Sequence, residues 1–175
     1  MKKLVVILLL AAAVGLVALA FGGGEEPAQS YLRIHIRANS NGADDQAVKY
    51  AVRDGIVAYL APVIAECGSK REALAAVRAR TAGIEQAAAR ILREEGYSYG
   101  ARAEVRREQF PTRVYDGVTL AAGEYDALIV ELGTGEGDNW WCVVYPPLCF
   151  TGGNVDVAYR SRIYEIIRSF FGQEE

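Results

Sequence analysis

The sequence predicts an α+β domain in which about three helices pack on one face of a four-stranded, largely antiparallel sheet. Segments with strand-like alternation and segments with helical periodicity follow one another in the order strand, two helices, three strands, helix. Helices that are set apart from a run of consecutive strands are typical of this class. In addition, 51% of the residues are apolar, which is enough for one core of ordinary size.

The chain begins with a segment typical of protein export. A short basic start precedes an uncharged apolar run at residues 4–21, which ends in the small-x-small cleavage pattern Ala18-Leu19-Ala20. Cleavage as a signal peptide is the interpretation that we favour, and retention as an N-terminal membrane anchor is the alternative. The predicted organisation is a signal peptide or anchor over residues 1–21, a flexible linker over 22–30 and one exported domain over 31–172.

The first predicted strand covers residues 31–38, which alternate strictly and therefore indicate a half-buried strand. Its two faces hold Leu32, Ile34, Ile36 and Ala38 on the apolar side and Tyr31, Arg33, His35 and Arg37 on the polar side. Turn residues at 39–42 end it. A helix with an apolar stripe follows over residues 43–60 or beyond, and Pro62 should kink or end that helix.

A second helix is predicted from a capping box to a glycine stop. Ser69 and Glu72 have the spacing of the box, helical periodicity continues to Glu95, and Gly96 follows. Arginines cover the opposite face, which we interpret as solvated rather than as a phosphate or acidic-partner site. These arginines are Arg71, Arg78, Arg90 and Arg93.

Three strands and a last helix complete the predicted fold. Residues 101–106 alternate as a half-buried strand, and residues 110–117 are expected to form a structured loop. Residues 123–132 and 139–145 are separated only by a glycine-rich turn, so an antiparallel hairpin is expected. The last helix should begin at a cap formed by Asn154 or Asp156 and bury an apolar face made of Tyr159, Ile163, Ile166, Ile167, Phe170 and Phe171.

The stretch 139–150 contains both tryptophans and two of the three cysteines. Its first seven residues form a nearly continuous apolar run with aromatic and β-branched residues, which indicates a strand buried on both faces, and Pro146 and Pro147 must end that strand. Export permits a disulfide between Cys142 and Cys149, with two buried thiols as the alternative. The third cysteine, Cys67, is expected to be unpaired.

The composition disfavours nucleic-acid binding, because the chain has a net charge of −3 and nucleic-acid recognition requires a basic face. The glycines at 133–137 join two strands rather than a strand and a helix, so they do not predict a phosphate loop. No cofactor, metal or small-molecule substrate is expected. A site built on the single histidine, His35, would require the convergence of carboxylates at positions that the spacing does not bring together: Asp44, Asp45, Asp54 or Glu124.

Catalytic patterns are weak. No Cys-x-x-Cys pair is present, and His35 can reach Cys142 only if their strands are neighbours. Paired carboxylates for sugar hydrolysis remain open, with Asp54, Glu124 and Asp126 as the possible residues.

Trp140 and Trp141 are adjacent on a strand and should therefore point to opposite faces. One of them, together with Tyr145, could form an exposed aromatic anchor at a protein interface or a stacking surface for wall sugars. The alternative is that both tryptophans belong to the core.

Several blocks of sequence together resemble the stage II sporulation protein R family of endospore-forming bacteria. The resemblance covers residues 32–150 and is most specific at 139–150. Its blocks are residues 33–40 with His35, Asn39 and Ser40; Asp45, Gln46, Lys49 and Val52-Arg53-Asp54; Phe110-Pro111-Thr112-Arg113 with Tyr115; Gly123-Glu124-Tyr125; Gly135 and Gly137; and Asn139-Trp140-Trp141-Cys142-Val143 with Pro146-Pro147-Leu148-Cys149-Phe150. Tyr145 stands where the family pattern leads us to expect phenylalanine.

The resemblance implies a signal rather than a catalyst. Such proteins are made in the forespore and exported into the space between the membranes of the two cells. There they activate a membrane-embedded aspartic protease of the mother cell, which cleaves the sigma-E precursor. The resemblance supplies no catalytic residues. On this reading the partner surface is expected to include Arg113, Tyr115, Asn139, Trp140, Trp141 and Tyr145.

A second hypothesis is a cell-envelope enzyme or wall-binding module that acts on peptidoglycan. Geometry separates the two. Convergence of His35, Asp45, Glu124 and Asn139 in one deep cleft would favour the enzyme, whereas a shallow aromatic patch with scattered charge would favour the protein ligand.

Overall fold

The computed structural model describes residues 30–115, 117–151 and 156–172. Its elements, in chain order, are β1 (Leu32–Arg37), α1 (Ala43–Ala65), α2 (Lys70–Arg78), α3 (Thr81–Glu94), β2 (Ala101–Phe110), β3 (Arg113–Tyr115), β4 (Val118–Leu120), β5 (Gly123–Leu132), β6 (Asn139–Tyr145), a 3₁₀ turn (Leu148–Phe150) and α4 (Val157–Phe171). The predicted α+β class is confirmed. The predicted signal peptide or anchor and nearly all of the linker lie outside the described residues. Within the described part, no helix is long and apolar enough to cross a membrane.

The four-stranded sheet is mixed, with the order β2-β5-β1-β6. β1 is parallel to β5 and antiparallel to β6, so Ile34 lies between Leu128 and Cys142. The predicted hairpin between residues 123–132 and 139–145 is therefore wrong, because β1 lies between those two strands. The intervening loop passes over the end of β1, where the Gly137 N–H donates to the Ala38 carbonyl at 2.8 Å.

β1 is buried on both faces, so its prediction as a half-buried strand is wrong. Arg33 is fully buried and His35 is 4% exposed, although both lie on the polar side of the alternation. The cover comes from a β3–β4 hairpin, which replaces most of the loop expected at 110–117. Under it lies a second apolar cluster made of Tyr31, Phe110, Leu120, Tyr125, Ala127, Ile129, Val143 and Leu148.

The helices pack on the other face and form the larger core. Leu32, Ile34 and Ile36 of β1 face this layer together with buried residues of α1, α2 and α3. α1 passes through Pro62 and ends one turn later at Ala65. β1 thus lies between two apolar layers, which together bury most of its side chains.

The predicted second helix is two helices, α2 and α3, with a break at Ala79 and Arg80. Ser69 caps α2 as predicted, because its Oγ accepts from the Glu72 N–H at 3.3 Å. The glycine stop is also confirmed: Gly96 has φ +86°. The Tyr97 N–H donates to the Leu92 carbonyl at 2.8 Å, which closes the helix end. The four arginines of the predicted solvated face are exposed.

Asp156 caps the start of α4, because its Oδ1 accepts from the Ala158 N–H at 2.8 Å, while Asn154 lies outside the described residues. Ile163 and Ile166 are buried, but Tyr159 is exposed and so does not belong to the apolar face. A disulfide joins Cys142 to Cys149, with their Cα atoms 6.2 Å apart, and Cys67 is a buried free thiol.

Candidate functional site

His35 lies at the centre of a polar network on the hairpin side of the sheet. Its Nδ1 is 2.6 Å from Glu108 Oε1, and its Nε2 is 2.7 Å from Asn139 Oδ1. The imidazole ring lies 5.2 Å from the Trp141 ring, centroid to centroid. β1 supplies the histidine, β2 the carboxylate and β6 the amide, so the network ties three strands together. The histidine is structural, and both of its ring nitrogens have partners.

Glu108 collects hydrogen bonds from three side chains. Besides His35, Arg37 donates to its Oε1 at 3.0 Å and Arg106 donates to its Oε2 at 2.7 Å. Burial tends to raise the pKa of this carboxyl, but the hydrogen bonds from Arg106 and His35 outweigh burial, and the pKa is lowered. A carboxylate held ionised in this way is suited to binding the strands together and poorly suited to donating a proton.

Glu108 is the residue that the sequence analysis missed. The predicted second strand ended at residue 106, whereas β2 continues to Phe110. The charged positions 102, 104, 106 and 108 all continue one alternation, and that signal was sufficient to extend the strand.

Arg33 is enclosed by aromatic rings under the hairpin. The centre of its guanidinium lies 4.2 Å from the ring centroid of Phe110 and 4.8 Å from that of Tyr125. Its Nη2 donates to the Tyr115 hydroxyl at 2.8 Å. Its Nε and Nη1 are buried and have no acceptor among the described residues. The rings supply cation–π attraction, but no carboxylate of the described residues neutralises this buried charge.

Arg113 and Trp141 form a stacked pair beside this cage. The Arg113 guanidinium lies 4.3 Å from the centroid of the Trp141 ring, and both side chains are partly exposed. Tyr115, two residues further along β3, is buried enough that its hydroxyl pKa is raised, while the positive charges of Arg33 and Arg113 oppose that shift. The positive charges of Arg33 and Arg113 therefore both act on the Tyr115 hydroxyl.

Asn39, Ser40 and Asp45 form a separate structural cluster at the start of α1. Asp45 accepts from the Ser40 hydroxyl at 2.5 Å and from the Asn39 amide at 2.8 Å. Hydrogen bonds from Ser40 and Tyr99 lower the pKa of the Asp45 carboxyl. Asn39 also accepts from the Thr134 N–H at 3.0 Å, so the cluster fastens the glycine-rich loop to the turn after β1.

The remaining predicted site residues are dispersed. Glu124 pairs with Arg107, and Arg53 pairs with Asp54 on the surface of α1. Trp140 points to the helix side, where the Arg53 guanidinium lies 5.7 Å from its ring centroid, so the opposite orientation of the two tryptophans is confirmed.

Tyr145 and the two prolines leave little surface for a partner. Tyr145 is 5% exposed and packs in the core, so the structure contradicts its assignment as an exposed anchor. The bond from Tyr145 to Pro146 is cis, and both Pro146 and Pro147 are buried. Pro111 is exposed at the start of the hairpin.

The four groups that would have favoured an enzyme do not converge. His35 contacts Asn139, whereas Asp45 and Glu124 bind other partners. Cys142 pairs in register with Ile34, so it faces the helix side, away from His35, and its sulfur is in the disulfide. Within the described residues, no group of His, Cys, Asp and Glu could hold a metal ion.

A cleft of about 560 Å³ lies elsewhere, at the end of β5 and the start of β2. Its lining residues are Asn39, Tyr99, Gly100, Ala101, Arg102, Glu131, Gly133 and Thr134. It contains neither His35 nor Asn139, so the polar network and the cleft are different places on the molecule.

The fold and the site together define an α+β protein with a mixed sheet, whose polar network holds strands together and whose aromatic–arginine pairs reach the surface. The family model for stage II sporulation protein R matches residues 28–154. Stage II sporulation protein R of Bacillus subtilis (strain 168) is 34% identical over 119 residues, which are 68% of this chain and 53% of that protein. The chain belongs to the stage II sporulation protein R family. It spans about half the length of that curated relative. No solved structure gives a significant match.

Proposed function

We propose that this protein is an exported signal of endospore formation. It is made in the forespore, crosses the cytoplasmic membrane and activates a membrane-embedded aspartic protease of the mother cell, which then cleaves the sigma-E precursor. The observation that carries this proposal is family membership over residues 28–154, because the family belongs to stage II of sporulation. The signal-like segment at residues 1–21 supports export.

The dispersed arrangement of the polar side chains supports a binding role. Among the described residues, the histidine and its carboxylate are engaged in holding strands, and Asp45 and Glu124 are paired elsewhere. A reaction site requires a nucleophile, a base and a cleft in one place. The family relationship points in the same direction, since it suggests a protein that acts without catalysis.

Activation then rests on differential binding. A ligand shifts a two-state receptor only by as much as it prefers the active state, so the contact surface must fit the active protease better than the inactive one. The surface formed by Arg113, Asn139 and Trp141 is our choice for that contact, because an aromatic side chain stacked with arginine is the kind of group that dominates interface energies.

The test is co-expression of this chain with the protease and the sigma-E precursor in a host that does not sporulate. Precursor cleavage is expected when all three are present and is lost when the chain is omitted or when residues 1–21 are deleted. Export of the chain and assembly of the protease are checked separately. Uncleaved precursor in the presence of an exported chain and an assembled protease would refute the signalling role.

A further inference from the structure

The hairpin side of the sheet has a local excess of positive charge. Arg33 is fully buried, and Arg113 is partly buried, yet neither makes an ion pair with any carboxylate that the structure describes. Arg33 donates to the Tyr115 hydroxyl, and Arg113 donates to the Thr112 carbonyl. By contrast, Arg37, Arg106 and Arg107 of the same sheet each pair with a glutamate. A buried cation without a counter-charge is costly, so such an arrangement calls for an acidic partner.

Several carboxylates of the described sheet are already engaged. Glu108 pairs with His35, Arg37 and Arg106, and Glu124 pairs with Arg107. In the same region the indole N–H of Trp141 is buried and has no acceptor among the described residues. Unsatisfied donors and unneutralised cations thus lie together on one side of the sheet, and no described carboxylate pairs with either arginine.

We propose that the Arg113–Trp141 pair is a docking site for a carboxylate side chain of a protein partner. The indole holds the Arg113 guanidinium in place, and besides one long contact to the Thr112 carbonyl no described group engages its N–H donors, which can bind a carboxylate through two parallel hydrogen bonds. The His35 ring packs against Trp141, and the positively charged Arg33 is hydrogen-bonded to the neighbouring Tyr115 hydroxyl. The identity of the partner as the protease rests on the proposed function; the acidic chemistry of the docking group does not.

The first experiment measures the site directly in the complete chain. The chain has two tryptophans, so Trp140→Phe leaves Trp141 as the sole indole reporter. Its fluorescence is titrated at constant ionic strength with N-acetyl-glutamate amide, and with N-acetyl-glutamine amide as the uncharged isostere. A saturable change with the glutamate compound alone is expected.

Arg113→Gln should weaken that response by about tenfold or more, because it removes a charge-assisted contact. The matched control is Arg162→Gln, at an exposed arginine of α4 that pairs with Glu165, and it should leave the response unchanged. Asp116→Asn is a second control and should likewise leave the response unchanged. Asp116 is close to Arg113 in the sequence but lies outside the described residues. An equal response to both compounds, or a response that survives Arg113→Gln, would overturn the proposal.

The second experiment uses the co-expression assay. Arg113→Glu should abolish precursor cleavage while leaving the urea midpoint of the chain unchanged. Each acidic residue on the exported side of the protease is then changed to lysine in turn, and one such reversal should restore cleavage with Arg113→Glu but not with the unaltered chain. If none restores it, the docking of a protease carboxylate is wrong. If the unaltered chain triggers no cleavage, the signalling role fails, and the fluorescence titration still decides the carboxylate site.

Discussion

Glu108→Gln tests whether the polar network stabilises the sheet. Glu108 accepts hydrogen bonds from His35, Arg37 and Arg106, and its side chain is 13% exposed. A glutamine at this position keeps one acceptor oxygen, loses the negative charge and turns an amide N–H₂ group toward a guanidinium. With the amide nitrogen at the Oε2 position, we expect the loss of the two hydrogen bonds that Arg106 donates.

The magnitude follows from the burial of these contacts. A hydrogen bond to a charged group contributes about 1.5–3 kcal/mol when it is buried. Two such losses, reduced because Arg106 is partly exposed and screened by solvent, lead to an expected decrease of about 2–3 kcal/mol in the free energy of unfolding.

Urea denaturation at neutral pH measures this decrease, with Glu104→Gln as the matched control. Glu104 lies on the same face of β2, but its side chain is 47% exposed, and its ion pair is with Arg106. Its loss should change the free energy of unfolding by at most about 0.5 kcal/mol. Equal effects of the two substitutions would refute the view that Glu108 is the centre of the network.

The pH dependence provides a second check. The pKa of Glu108 is lowered in the folded protein, so its stabilising effect is present above the ordinary carboxyl pKa of 4.5 and is lost as the pH falls through the folded value. The difference between the unaltered chain and Glu108→Gln should accordingly be largest at neutral pH and shrink below about pH 4.5. A difference that stays constant over this range would contradict the ionised state that we assign.

Two further pairs of substitutions test local features. Cys142→Ser opens a disulfide whose cysteines are 7 residues apart and should lower the free energy of unfolding by about 2 kcal/mol. Cys67→Ser should cost less, because serine can still donate to the nearby carbonyl; equal effects in chemical denaturation would argue against the disulfide. Gly137→Ala would bring a Cβ to 2.2 Å from a backbone oxygen and should cost about 1–3 kcal/mol. Gly100→Ala meets nothing within 4 Å, so similar melting temperatures for the two glycine variants would refute the packing argument.

Local chemistry made much of the fold predictable. Alternation located β1 and the first part of β2, and capping rules located the start of α2 at Ser69 and the glycine stop after α3 at Gly96. These features depend on residues within a few positions of each other, so the sequence contains them directly. The opposite orientation of Trp140 and Trp141 follows for the same reason.

The pairing of strands that are distant along the chain could not be predicted from local sequence patterns. β1 enters between β5 and β6, although those two strands are neighbours along the chain, because strand order depends on contacts distant in sequence. The polar side of β1 is buried for a related reason: the β3–β4 hairpin covers it, and no local pattern at residues 31–38 could reveal that cover.

The sequence by itself determined the class of fold, the helix caps and the family, since these depend on local order and on motifs that can be read directly. Only the tertiary structure decided that His35 and Glu108, 73 residues apart, share a hydrogen bond. It alone placed Arg33 and Arg113 together with no described carboxylate to neutralise them. Whether a charge is neutralised depends on the tertiary structure rather than on sequence order, because the Coulomb energy depends on the distance between groups and on their burial.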